Sequence, residues 1–239
     1  MFSAAANTDV QSDPRGVPDD ASPRARALAR SLRVPTARSV ERLELFLRAA
    51  RDLANAEGSA SFTVAQVSRQ AGSSLKSFYR CFAGKDDLLV ALLEEDSRLG
   101  ASILAERDDA HADATARVRG YVLGVFELLT HPGALGYARV LVQEHRRLAE
   151  ERPDELRAAL APMVDLLASE IARATDRGVA VSNDPARDAQ TIFVLVLEGI
   201  HQVALGRADP LEQADYLWRF SAAALSLDPR ADDDGALRA

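Results

Sequence analysis

Apolar residues recur every three to four positions along most of the chain, a spacing that predicts helices. From residue 39 to Glu57, the side chains of Leu43, Phe46, Leu47, Ala50, Leu53 and Ala54 fall on one helical face, and Gly58 supplies the stop. The stretch "TVAQVSRQAG" places Thr63 and Gln66 in capping-box spacing, with Val64, Val67, Ser68 and Ala71 on its inner face. Ser68 and Ala71 are small enough to let another helix cross closely, and Gly72 closes this second helix after barely two turns. Ser73 and Ser74 can cap a third short helix, in which Phe78 and Phe82 sit at i, i+4 and point inward. Leu75, Lys76, Tyr79 and Arg80 must then point elsewhere. Gly84 breaks that helix, and Asp86 opens a long fourth one with Leu88, Leu89, Leu92 and Leu93 on its inner stripe.

Helical periodicity continues through 113–130, 134–151, 154–176, 186–206 and 210–227. Pro132 ends the first of these, while Pro153, Pro185 and Pro210 suit first-turn positions, the last behind Asp209 as cap. Pro162 is expected to kink or split the third. The stretch from Thr191 to Leu197 reads as apolar all round, so a helix there needs cover on both faces. Its own domain supplies one cover and a second subunit the other, with an internal monomer core as the competing explanation. In the next helix Leu211, Ala214, Leu217, Trp218, Ser221 and Leu225 lie along one side.

Ala, Leu and Arg abound and β-branched residues are sparse, which together favour an all-α fold. The longest apolar run, Ile192 to Leu197, is far short of the roughly 20 residues that span a bilayer. The first residues hold Asp9, Asp13, Asp19 and Asp20 and no apolar core of a signal peptide, so a cytoplasmic protein with no membrane role is expected. Cys81 is the single cysteine, which excludes an internal disulfide and leaves no partner to resolve an oxidised thiol. The acidic cluster Asp108 to Asp113 reads as a solvated turn rather than a metal site, and no catalytic constellation or cofactor motif is visible. Charge is uneven: residues 1–86 carry 13 Arg and Lys against 9 Asp and Glu, and the remainder 16 against 27. A basic head on an acidic body suits a polyanion partner.

Two short helices joined by a Gly-containing turn form the helix-turn-helix pattern, whose second helix enters the major groove. Residues 39–90 resemble the DNA-binding domain of the tetracycline-repressor (TetR) family of bacterial regulators. The resemblance rests on the apolar helix before Gly58, Thr63, "AG" at 71 and 72, Tyr79, Phe82, Lys85 and Leu88. Lys76, Ser73 and Cys81 depart from the family's habits, which are Gly, an apolar residue and His. The resemblance implies that Thr63, Tyr79 and Lys85 bind phosphates, with Ser74 and Arg80 as further candidates. Leu75, Lys76 and Ser77 would then face bases, since Leu75 can meet a thymine methyl and Lys76 can donate to guanine O6 and N7.

It also implies a homodimer on a palindromic operator, paired through a four-helix bundle, and a repressor released by a small apolar effector. Tyr121, Phe126, Tyr137, His145, Met163 and Phe193 are the candidate effector-lining residues. The expected organisation is a disordered leader over 1–35, a three-helix DNA-binding domain over 36–86, a helical effector-binding and dimerisation domain over 87–227, and an acidic tail over 228–239. The alternative is an all-helical small-molecule carrier or enzyme whose first helices merely pack.

Overall fold

The computed structural model describes residues 37–106, 113–130 and 134–229; among these the chain is helical and has no strand. The leader, the acidic cluster from Asp108 apart from its last residue Asp113, Pro132 and the tail from residue 230 lie outside the described residues. The described helices are α1 (Ala37–Glu57), α2 (Val64–Gln70), α3 (Leu75–Cys81), α4 (Lys85–Glu106), α5 (Ala114–Leu129), α6 (Ala134–Glu151), α7 (Pro153–Asp176), α8 (Pro185–Ala204) and α9 (Pro210–Ala224).

At seven residues each, α2 and α3 fall below the roughly 12–15 residues at which an isolated helix becomes even marginal in water. Caps and packing hold them instead. Thr63 Oγ1 accepts the Gln66 N–H at 3.2 Å, and Gln66 Oε1 accepts the Thr63 N–H at 2.7 Å, which completes the capping box. At the other end Gly72 takes a left-handed φ of 59°. Its N–H donates to the Arg69 carbonyl at 3.1 Å, and the Ser73 N–H donates to the Ser68 carbonyl at 2.9 Å. This paired Gly cap turns the chain sharply into α3. Phe46 of α1 then stands edge-on to Phe78 and Phe82, with centroids 5.4 Å and 6.1 Å away. All three rings are fully buried, and each such pair adds about 0.5–1.5 kcal/mol beyond its buried area.

The second buried cluster joins α5, α7, α8 and α9 around Phe126, Leu167, Ile171 and Trp218. Helix α8 crosses closely here: a Cβ at Gly199 would lie 2.7 Å from both Leu217 Cδ1 and Phe126 Cζ. Three details differ from the sequence expectation. Helix α7 runs unbroken through Pro162, because Leu156, Ala159, Met163 and Leu167 bury on both sides of it and offset one lost backbone bond. Helix α8 has two distinct faces: Ile192, Phe193, Val196, Gly199 and Val203 are buried while Val194 is 53% exposed. Val196 thus belongs to its own subunit's core. On α9, Ala214, Leu217, Trp218, Ser221 and Leu225 also face that core, and only Leu211 of the expected stripe lies outside, at 60% exposure.

Helix α6 joins the two regions. Val140 and Leu148 share the buried cluster of the first helices, together with Leu156 and Ala159 of α7. Arg139 donates to the Ala204 carbonyl at the end of α8 at 3.0 Å and 2.8 Å, and Arg146 pairs with Glu198 at 2.9 Å.

Candidate nucleic-acid interface and the body behind it

The inward turn of Phe78 fixes what α3 presents outward. Leu75 and Tyr79, one turn apart, are 47% and 57% exposed. Lys76 and Arg80 form a second exposed pair at the same spacing. The Tyr79 ring leans edge-on against Phe78 at 5.4 Å, so its base is anchored although most of the residue is solvated. Ser74 caps α3 by accepting the Ser77 N–H at 3.1 Å, and the two hydroxyls lie 3.1 Å apart. Ser77 is therefore half-buried and engaged within the helix's own first turn. Thr63 is exposed at the head of α2, where free backbone N–H groups and the helix dipole favour an anion. Lys85 is the first residue of α4. Its ammonium donates to the Ala60 carbonyl and lies 5.0 Å above the Phe62 ring, which ties α4 to the approach of α2. An ammonium carries three donors, so this bond leaves capacity for a phosphate. The fold thus gathers Ser74, Leu75, Lys76, Ser77, Tyr79 and Arg80 on one short helix, and sets Thr63 and Lys85 at the starts of its neighbours.

The residues picked for an effector do not form one group. Tyr121, Phe126 and Met163 lie in the packed body cluster. Burial pushes the Tyr121 phenol up, and its hydroxyl has no hydrogen-bond partner among the described residues. His145 and Phe193 line a half-open cleft of about 390 Å³ between α6, α7 and α8. Burial, helped by the neighbouring Arg146 charge, holds the His145 imidazole below the ordinary histidine range.

Tyr137 serves a different place. Its hydroxyl donates to Asp96, whose other oxygen accepts from Arg51 at 2.6 Å, while the Arg51 guanidinium stands 5.9 Å from the Tyr137 ring centroid. Burial outweighs both partners and lifts the Asp96 carboxyl above its ordinary range. Burial and the Asp96 charge likewise push the Tyr137 phenol well up. A second tie runs from Arg147 to Asp86 at 2.6 Å, with Glu144 at 2.9 Å and Glu151 on the same guanidinium. Sequence reasoning missed Arg51, Asp96, Asp86 and Arg147 as a junction. Partners 41 to 61 residues apart leave no trace in helical periodicity.

Residues 46–92 match the family model of bacterial regulatory proteins, tetR family. No curated protein matches the chain by sequence. Among solved structures, the fold is similar to the transcriptional regulator FadR from Bacillus subtilis, solved with stearoyl-CoA. That match has 19% identity and a TM-score of 0.65, and covers 76% of this chain and 98% of that one. RolR, solved with resorcinol, aligns at 14% identity and a TM-score of 0.63 over 84% of this chain and 95% of its own. SmeT, the repressor of the Stenotrophomonas maltophilia multidrug efflux pump SmeDEF, aligns at 20% identity and a TM-score of 0.57, covering 77% and 89%. No helix of the described residues is long and apolar enough to cross a membrane. The first helices thus match the family model of bacterial regulatory proteins, tetR family, and the described residues as a whole take the fold of those solved regulators.

Proposed function

We propose that the chain is a homodimeric, ligand-responsive transcriptional repressor that acts in the cytoplasm and reads operator DNA with α3. The observation that carries this reading is the outward face of α3. Leu75, Lys76, Tyr79 and Arg80 stand exposed on a helix locked from behind by three buried aromatic rings. Thr63, Tyr79 and Lys85 take phosphates, with Ser74 and Arg80 beside them. Leu75, Lys76 and Ser77 take base edges, in line with the division between positioning and specifying contacts.

A single helix-turn-helix selects a site poorly, and paired heads in adjacent major grooves remedy this. The pairing surface lies on the outer side of α8 and α9, where Val194, Leu211, Tyr216 and Phe220 are each more than half exposed. Release follows when an effector favours a spacing of heads that does not match the operator. The FadR structure, solved with stearoyl-CoA, and the RolR structure, solved with resorcinol, support an effector role for the body.

Footprinting on the DNA flanking the chain's own gene, over a range of salt, tests the reading. A protected palindromic site whose affinity falls steeply with salt is the expected result. Binding with no preference over random duplex, or a monomer in sedimentation at micromolar concentration, overturns it.

A further inference from the structure

The cleft between α6, α7 and α8 has the size of a small-molecule site: about 390 Å³, within the range of roughly 300–1,000 Å³ usual for such pockets. Its walls are apolar, with Leu160 and Val164 on α7 facing Phe193 and Leu197 on α8. The polar groups at the lining are few: His145, Gln190 and Arg157. We propose that this cleft is the effector site and that its ligand is an uncharged, mainly apolar molecule with a hydrogen-bonding group set against His145 and Gln190. Its regulatory consequence rests on the function proposed above; its ligand binding does not.

Charge decides the ligand class. An ionised group drawn into apolar walls loses hydration at a cost that only a dedicated counter-charge offsets. Arg157 is not such a group, because its side chain is 73% exposed and already paired with Asp154 at 2.9 Å. His145 is held toward the neutral form by burial and by Arg146, so it offers a ring nitrogen rather than a cation. The bundle interior gives a ligand no comparable room at the α8 crossing, where Leu217 and Phe126 stand too close to Gly199 for even a Cβ.

Position decides the consequence. Leu156 lines the cleft and also sits in the buried cluster of the first helices. On α6, Arg147 lies between the cleft residues His145 and Ala149 and reaches Asp86 at the start of α4. A ligand here touches the two helices on which the DNA-reading end is seated.

A matched pair of probes tests the proposal. The full chain is titrated with N-phenyl-1-naphthylamine, which is uncharged, and with 8-anilinonaphthalene-1-sulfonate, which adds a sulfonate to the same skeleton. Saturable fluorescence with one uncharged probe per subunit is expected, and at least tenfold weaker binding of the sulfonate. Val194→Trp and Ala149→Trp, each growing into the cleft from an exposed rim position on opposite walls, should both weaken the uncharged probe at least tenfold. Circular dichroism and operator affinity without probe should stay unchanged in Ala149→Trp, which lies off the proposed pairing surface.

No binding to the wild type, equal binding to both variants, or equal binding of the two probes overturns the proposal. So does a cleft closed by the partner subunit, seen as both variants turning monomeric while probe binding persists. If the probe binds in the cleft yet leaves the operator complex intact, the site stands and the effector role of that probe class fails.

Discussion

The helix-turn-helix end and the body expose large apolar side chains for different reasons. On α3, Leu75 and Tyr79 alternate with Lys76 and Arg80, and the helix is seated on buried rings. On α9, Leu211, Tyr216 and Phe220 stand outside, and the one arginine among them, Arg219, is paired with Asp215 at 2.7 Å. The first pattern suits a wet, anionic surface, where cations supply affinity and apolar groups read methyls. The second suits a dry contact, where charge is settled within the helix and apolar area is left to be covered. Exposure alone does not tell a partner's chemistry. The charges beside the exposed residues do.

The largest expected effect separates inner from outer faces of the body. Val196 is 1% exposed, so Val196→Arg places an unpaired cation in the core and costs roughly 4–5 kcal/mol or more, a large part of the 5–15 kcal/mol that holds a domain. Loss of helicity or insoluble protein is expected. Phe220→Arg, at a position 52% exposed, should instead keep the fold and weaken the dimer, with operator affinity falling alongside. Sedimentation and circular dichroism on both variants decide it. A helical, monomeric Val196→Arg protein breaks the distinction.

Next in size is the junction that ties α1 and α4 to α6. Tyr137→Phe removes a hydrogen bond to a half-buried carboxylate, worth about 1.5–3 kcal/mol when a charged group takes part. Asp96 also gives the junction a pH signature. Its folded pKa is raised, chiefly by burial, so its contribution to stability is fully present below the unfolded value and is lost as pH rises through the folded value. Going from neutral to weakly acidic pH should therefore raise the stability this site contributes. Asp96→Asn should flatten that part of the curve in urea midpoints. If the wild type instead loses stability over this window and Asp96→Asn removes the loss, Arg51 rather than burial sets the carboxyl.

These two sites also show what the sequence could carry. The caps Thr63, Ser74 and Asp209, the stops at Gly58 and Gly72, and the inward Phe78 and Phe82 are local devices, and a linear reading finds them. The junction and the cleft are made by residues from helices far apart in sequence, so only assembly reveals them. Helix α8 misled for a related reason. A run of six apolar residues hides which of them the neighbouring helices cover. Among the residues named for an effector, His145 and Phe193 share the cleft because α6 and α8 happen to meet there.

A smaller effect sharpens the reading of α3. Lys76 is exposed, so Lys76→Ala should leave the fold intact and cost about 1–3 kcal/mol at the true operator but little on random duplex. Competition binding on a set of single-base operator variants should show relaxed preference at one base pair. Equal losses on specific and random DNA would make Lys76 a backbone contact.

The smallest expected effect concerns Lys85, whose one ammonium holds a structural tie and is also the proposed phosphate contact. Its bond to the Ala60 carbonyl and its place over Phe62 hold α4 against the approach of α2. A phosphate at the same amine would share the donors rather than displace the tie. Lys85→Met keeps the apolar stem over Phe62 and removes only the charge and its donors. Stability should fall by no more than about 1 kcal/mol, the net worth of one partly solvated hydrogen bond. Operator and random DNA should weaken by similar factors, and the slope of log affinity against log salt should shrink by about one ion. Lys85→Arg should restore the slope, since a guanidinium also reaches a phosphate. If stability falls in Lys85→Met while the salt slope stays at the wild-type value, the residue fastens α4 to α2 and does not touch the operator backbone.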